Sequence, residues 1–109
     1  MNDELELDQD DFESREDAVA EVNRIRAELS DVPAAQVVVN HAMGLYELAA
    51  IHLSNHPPRL GEAKIAIDAL AGLLHACESR LGTHESTLRE ALAQMQLAFV
   101  QLGSINAEG

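Results

Sequence analysis

The sequence feature that most constrains the fold is the stretch 33–55, which carries one charged residue, Glu47. The chain as a whole is 24% charged, so this stretch belongs largely inside the protein. Asp31 can cap a helix here, Pro33 suits a first helical turn, and Pro57 forces the chain out of the helical conformation at the residue before it. We therefore predict a largely buried central helix over about 33–55.

This central helix is apolar over most of its circumference. At 100° per residue one face collects apolar residues and a narrow polar stripe lies opposite. The face comprises Val38, Ala42, Leu45, Leu48 and Ala49, and the stripe comprises Gln36, Asn40, Glu47 and Ser54. Such a helix needs neighbours on more than one side. Gly44, in its middle, costs about 1 kcal/mol relative to alanine, which predicts that another helix backbone approaches closely there.

The net charge of −12 is concentrated at the N-terminus, where residues 1–17 hold nine acids against Arg15. This composition predicts a disordered acidic arm over 1–13. The arm is either a solvated tail or a segment that contacts a basic protein partner. No basic face is present to bind a phosphate backbone, so direct nucleic-acid binding is not expected.

The remaining composition indicates a cytoplasmic protein of one domain, with 109 residues. A single cysteine, Cys77, excludes an intramolecular disulfide and fits a reducing compartment. The acidic N-terminus does not resemble a secretory signal. Polar residues interrupt 33–55, so a membrane span is not expected. We predict no cofactor.

Three further helices follow from apolar residues at three- and four-residue steps. An accessory amphipathic helix is predicted over 14–30, with Ala18, Val19, Val22, Ile25 and Leu29 on its stripe. Another is predicted over about 60–81, where Gly72 suggests a second tight crossing and Gly82 the helix end. The last is predicted over about 84–102, capped by Thr83.

The predicted fold is therefore all-α. Three core helices (about 33–55, 60–81 and 84–102) form a small bundle domain over 31–103, preceded by the accessory helix and the disordered arm and followed by a disordered tail over 104–109. The wide apolar circumference of the central helix, and a second apolar strip on the last helix, predict a homodimer or a higher helical assembly. We assign the interaction to Gly44, Leu45, Leu48, His52, Leu97 and Val100.

The histidines are the candidate metal or acid–base groups. His41 and His52 are predicted to point from the apolar face of the central helix, roughly 16 Å apart along its axis, so they cannot share a metal within one chain. An antiparallel dimer could bring them together. The alternative function is therefore a small-ligand or metal-binding module that uses His41, His52, Asp68 and His75. Histidines that are bonded to a backbone carbonyl or a neighbour are the simpler interpretation.

Three segments together resemble the bacterial domain-of-unknown-function 1844 family, particularly its actinobacterial branch. They are AMGLYELAAIHLS, LGEAKIAIDALAGLL and THESTLREALAQMQLAFVQ. The second matches a pattern like L-x-x-A-K-x-x-I-D-x-L-A, through Leu60, Ala63, Lys64, Ile67, Asp68, Leu70 and Ala71. The resemblance covers about 31–102 and departs from the family at Ser54, where glycine is usual.

This resemblance implies an all-helical cytoplasmic bacterial protein and supplies no catalytic residues. Family genes in actinobacteria tend to lie near translation-initiation genes. No phosphate-binding loop, Cys-x-x-Cys pair or serine nucleophile motif is present in the sequence. We therefore expect a non-enzymatic interaction or regulatory protein, with the ligand-binding module as the alternative.

Overall fold

The structure, a computed structural model, describes the backbone of residues 2–108 and the side chains of residues 11–105. It contains four helices: α1 (Asn2–Ser30), α2 (Ala34–Leu53), α3 (Leu60–Ala76) and α4 (Glu85–Glu108). A short 3-10 turn, Gly82–His84, leads into α4. No strand occurs between residues 2 and 108. The predicted all-α class is confirmed.

The chain divides into two packing units, Met1–Pro33 and Ala34–Gly109. In the second unit α2, α3 and α4 each pack against the other two. The start of α2 packs with the end of α3, and the end of α2 packs with the start of α3, so these two helices are antiparallel. The six-residue connection between them contains a cis peptide bond at His56-Pro57.

The core of the second unit consists of two apolar clusters. The first contains Val39, Ala42, Leu70, Leu74, Leu81 and Leu88. The second contains Ala49, Leu53, Ala63, Ala66, Ile67 and Met95. Two half-buried side chains, Tyr46 and Leu92, pack against both clusters. Alanines at the contacts let the helices approach closely, and the largest fully buried side chains are Leu70 and Leu74.

The buried face of α2 differs from the predicted one. Val39, Ala42, Ala49 and Leu53 are buried, whereas Leu48 is 44% exposed. The face is thus rotated by roughly 60° around the helix from the prediction, at 100° per residue. The error has a physical cause: apolar residues cover most of the helix, so the pattern alone does not select which side packs.

The glycine crossings predicted at Gly44 and Gly72 are wrong within this chain. A Cβ placed on either glycine would meet no atom within 4 Å beyond its own helical surroundings. At Gly103 such a Cβ would lie 3.9 Å from Leu60 Cδ1, which is an ordinary van der Waals contact with a side chain. The space beside Gly44 and Gly72 is open to solvent.

Helix α3 begins at Leu60, as predicted, but ends at Ala76 rather than near Arg80. The chain then turns through Ser79, whose φ is 67°, and Gly82, whose φ is 78°. These left-handed conformations end the helical path, and glycine adopts them without the steric cost that other residues bear. The predicted apolar face of α3 is nevertheless the buried one, as Ala63, Ala66, Ile67, Leu70 and Leu74 show.

Helix α4 starts at Glu85 and runs to Glu108. Thr83, predicted as its cap, lies inside the 3-10 turn instead. The helix also continues through 104–108, where we predicted a disordered tail, because no proline or charge cluster follows Gly103 to interrupt it. Gly109 lies outside the described residues.

The first packing unit is the single helix α1. It begins at Asn2, so the disordered arm predicted over 1–13 is not confirmed, and the helix predicted over 14–30 is the second half of a longer one. Acidic residues near a helix N-terminus are favoured by the helix dipole. Further along α1, Val19, Val22, Ile25 and Leu29 are all exposed.

Candidate interaction surface

The residues that we assigned to an interaction do not form one surface. Gly44 and Leu48 of α2 are exposed, whereas Leu45 is half-buried and packs against the first core cluster. His52 is half-buried. Leu97 and Val100 are exposed, but they lie on α4. The assignment therefore separates into an α2 part and an α4 part, and Leu45 belongs to the edge of the core.

On α2 the exposed apolar residues are Leu48, 44% exposed, and Ile51, 60% exposed. At 100° per residue they share the solvent side of the helix with Gly44, opposite the buried face. Glu47 is the sole charged residue of α2. This side of the helix is thus open, apolar and almost free of charge.

The solvent side of α3 carries an apolar strip that the sequence analysis missed. Ile65 is 68% exposed, and Ala69, Gly72 and Ala76 are exposed at the helical steps that follow it. The signal was present in their four-, three- and four-residue spacing, but the neighbouring charged residues concealed it. Among those, Lys64 donates a 2.7 Å hydrogen bond to Asp68.

We name two uncharged strips, one on the solvent side of α2 and one on the solvent side of α3, the outer surface. It consists of Gly44, Leu48 and Ile51 of α2, and Ile65, Ala69 and Gly72 of α3. None of these residues carries a charge, although Glu47, Lys64 and Asp68 are exposed beside them. In a chain with a net charge of −12, such a surface is a candidate for contact with another protein.

A second exposed strip runs along α4. Ala93, Leu97 and Val100 are exposed, with Leu97 and Val100 at 58% and 62%. Exposed glutamines flank them, at positions 94, 96 and 101. Amide side chains therefore surround the apolar groups of this strip.

The histidines do not converge. His41 is exposed, which corrects its predicted place on the apolar face, and its Nδ1 donates a 2.8 Å hydrogen bond to the Val37 carbonyl oxygen. His52 has a buried Nδ1 without a hydrogen-bond partner. His75 is exposed. Among residues 11–105, no group of three His, Cys, Asp or Glu side chains is arranged to hold a metal ion.

An apolar groove lies between α2 and α4. Its volume is about 310 Å³, and its lining consists of Met43, Tyr46, Glu47, Thr87, Leu88 and Ala91. Glu47 supplies the one charge of this lining. A lone carboxylate does not form the acid–base pair that hydrolytic chemistry commonly uses.

Among the described carboxyl groups, that of Glu85, at the junction of α3 and α4, has a shifted pKa. Glu85 accepts hydrogen bonds from the backbone N–H groups of Ser79, at 3.0 Å, and Leu81, at 3.1 Å. The bond from Ser79 is the main cause that lowers the pKa of Glu85, and the bonds from Leu81 and Arg89 act in the same direction. The arrangement stabilises the turn and has no reactive partner.

Within the described part of the chain, no helix combines the length and apolar character that crossing a bilayer requires. Comparisons of the chain with protein-family models, with curated proteins and with solved structures each found no match.

Proposed function

We propose that this chain is a non-enzymatic interaction protein of the cytoplasm that acts as a homo-oligomer, with a dimer as the basic assembly. The observation that carries the proposal is the outer surface, where Leu48, Ile51 and Ile65 are 44%, 60% and 68% exposed without a charge among them. Burying apolar side chains of this size contributes about 1.5–3 kcal/mol each when exposure is complete, and proportionately less here.

Charge favours a second copy at this surface. Two copies each carry a net charge of −12 and repel one another in general. They can meet more easily where each contributes little charge. Beside the outer surface, Glu47 is exposed on α2, and on α3 Lys64 is ion-paired with Asp68. A two-fold dimer uses the same patch on both subunits, so one self-complementary apolar surface is sufficient.

The oligomer would act on a further protein of basic character, because the N-terminal residues 1–17 hold nine acids against one base. The family resemblance makes translation the process in which we look for this partner. The oligomer would regulate this partner by binding, without a chemical step.

The test is sedimentation equilibrium of the full chain at micromolar concentration, with Leu48→Ser and Ile51→Ser as the altered chains. We expect the wild type to dimerise and both variants to shift toward monomer. The matched control is Ile105→Ser, which removes an apolar group of α4 that is 64% exposed. A strictly monomeric wild type would contradict the proposal. A loss of dimer in Val100→Ser alone would move the interface to α4.

A metal- or small-ligand-binding module is the second candidate, and the unpartnered buried Nδ1 of His52 is the observation that favours it. Titration with zinc, followed by calorimetry, tests this candidate. Stoichiometric binding that His52→Ala abolishes and His75→Ala preserves would support it. A titration that shows only the heat of dilution would contradict this candidate function.

A further inference from the structure

Helix α1 carries an apolar seam that nothing in its own packing unit covers. Ala18, Val22, Ile25 and Leu29 are exposed and follow one another at steps of four, three and four residues. This is the spacing of the two inner positions of a heptad, a and d, which face a partner helix in a coiled coil. Val22 and Leu29 take position a, and Ala18 and Ile25 take position d.

The charges beside the seam are arranged unequally. Glu21 and Glu28 fall at position g on one edge, and Arg26 falls at position e on the other. Arg24 bonds to both glutamates within its own helix, and its bond to Glu28 measures 2.7 Å. Arg15 pairs with Asp11. Arg26 is therefore the arginine of this helix whose guanidinium makes no ion pair with any of residues 11–105.

We infer that α1 pairs with α1 of a second copy as a short parallel coiled coil, in which Glu21 of each chain faces Arg26 of the other. In a parallel pair, position g lies opposite the e position five residues later on the partner. Residue 26 is five residues after Glu21, so the two contacts are complementary and related by the two-fold axis. Arg26, which has no ion-pair partner among the described residues of its own helix, thereby gains one on the other chain.

The same charges disfavour the antiparallel arrangement. Antiparallel pairs bring g positions against g positions, which would place Glu21 beside Glu28 of the other chain. Like charges in such contacts are destabilising. The edge charges thus select the parallel orientation.

The acidic residues that precede Ala18 do not place like charges along the seam of the parallel pair. Glu13, Glu16 and Asp17 fall at positions f, b and c, on the side of the helix away from the partner. N-terminal to Ala18 the inner positions become charged, with Arg15 at a and Asp11 at d. The coiled coil is therefore confined to about residues 18–29.

This inference deepens the proposed function, because it names a second contact of the same oligomer. Fewer than two heptads are too short to hold two free helices together strongly in water. Linked to a second contact between the same two chains, a weak pair is strengthened because its effective concentration is high. The α1 pair is an addition to the outer-surface dimer and not a replacement for it.

Charge exchange tests the pairing in the full chain, with the dimer dissociation constant measured by sedimentation equilibrium. Glu21→Arg and Arg26→Glu should each weaken the dimer by about tenfold, since each replaces two attractive contacts by repulsive ones. The double variant, Glu21→Arg with Arg26→Glu, should restore the constant to within about twofold of wild type. Asp17→Arg is the control: it changes charge by the same amount on the same helix, but at an outer position, and should not weaken the dimer.

Disulfide trapping tests the register separately. In a Cys77→Ala background, Ile25→Cys should cross-link two chains under mild oxidation, because inner positions of a parallel pair face their own equivalents. Asn23→Cys, at an outer position, should not. Equal trapping at both positions, or charge variants that all behave like wild type, would overturn the α1 pairing.

The outcomes separate this inference from the proposed function. If the dimer is sensitive to Leu48→Ser but not to the charge exchange, the outer surface holds and the α1 pair fails. If it is sensitive to the charge exchange but not to Leu48→Ser, the α1 pair holds and the outer surface fails. A strictly monomeric wild type with no trapping at residue 25 rejects both.

Discussion

Arg89 on α4 donates a 2.9 Å hydrogen bond from Nη2 to the backbone carbonyl oxygen of Leu74 on α3. The same guanidinium bonds to Glu85, with Nη2 and Oε2 3.3 Å apart. Since Glu85 also accepts from Ser79 and Leu81, one ion pair connects the end of α3, the turn and the start of α4. This connection fixes the orientation in which α4 leaves the turn.

Replacing Arg89 by methionine should lower the free energy of unfolding by about 1–2 kcal/mol. The variant keeps an apolar stem but leaves the Leu74 carbonyl oxygen without its donor and Glu85 without its cation. Urea denaturation followed by circular dichroism measures the change. Arg59→Met is the matched control, because Arg59 is exposed and its guanidinium makes no hydrogen bond with the described residues. An equal loss in both variants would show that the Arg89 contacts add no stability.

Stability should fall in acid, and Glu85 should contribute to that fall. Backbone hydrogen bonds from Ser79 and Leu81 hold the pKa of Glu85 below its ordinary value of 4.5. A carboxyl group whose pKa is lower in the folded state stabilises the fold above its unfolded pKa, and this contribution disappears as the pH falls through the folded pKa. Denaturation of Glu85→Gln between pH 7 and pH 2 should therefore show a shallower loss than wild type. Glu90→Gln, an exposed acid of the same helix, should retain the wild-type slope.

Replacing a glycine by alanine should raise the stability of the monomer in a helix and lower it in the turn. Gly44→Ala should stabilise the monomer by about 0.5–1 kcal/mol, because the added methyl group meets open space and alanine favours helix. Gly82→Ala should destabilise it by about 1–2 kcal/mol, because φ at this residue is 78°. Thermal unfolding at concentrations below dimerisation measures both. At higher concentration Gly44→Ala also reports on the interface, since a methyl group there would obstruct a closely packed second copy.

Alanine replacement of a core leucine and of a surface leucine should change the stability of the protein by very different amounts. Leu70→Ala should cost 2–5 kcal/mol, roughly the range for a fully buried leucine, because it leaves a cavity among packed neighbours. Leu97→Ala should change the stability of the monomer by less than about 0.5 kcal/mol, because its side chain is 58% exposed. Denaturant titration compares the two. A large loss in Leu97→Ala would mean that α4 packs its outer strip in solution.

The sequence was sufficient to predict the helices of the second packing unit and the buried face of α3. The buried face of α3 could be predicted because charged residues such as Lys64 and Asp68 mark the opposite side of the helix. On α2 no comparable contrast exists, so Val39 and Leu53 were not placed in the core and Leu48 was placed there wrongly. A wheel orients a helix only where its polar residues are numerous enough to define a solvent side.

The errors at the helix ends and glycines have a different origin. Helix α3 ends at Ala76, and Ser79 and Gly82 beyond it adopt left-handed conformations, which the apolar periodicity does not report. Gly44 and Gly72 suggested close crossings because a mid-helix glycine usually needs compensation. Within this chain the small residues buried between the helices are alanines of the core, among them Ala42 and Ala66.

The division of the core into two clusters has a consequence for how the three-helix unit opens. Tyr46 and Leu92 are the half-buried side chains that pack against both clusters, and neither is fully covered. Only a thin layer of side chains between the two clusters therefore couples the two ends of the three-helix unit. We expect amide hydrogens at the two ends to exchange through separate local fluctuations, each with a lower free energy than global unfolding. One end can then loosen around a partner while the other end keeps its native packing.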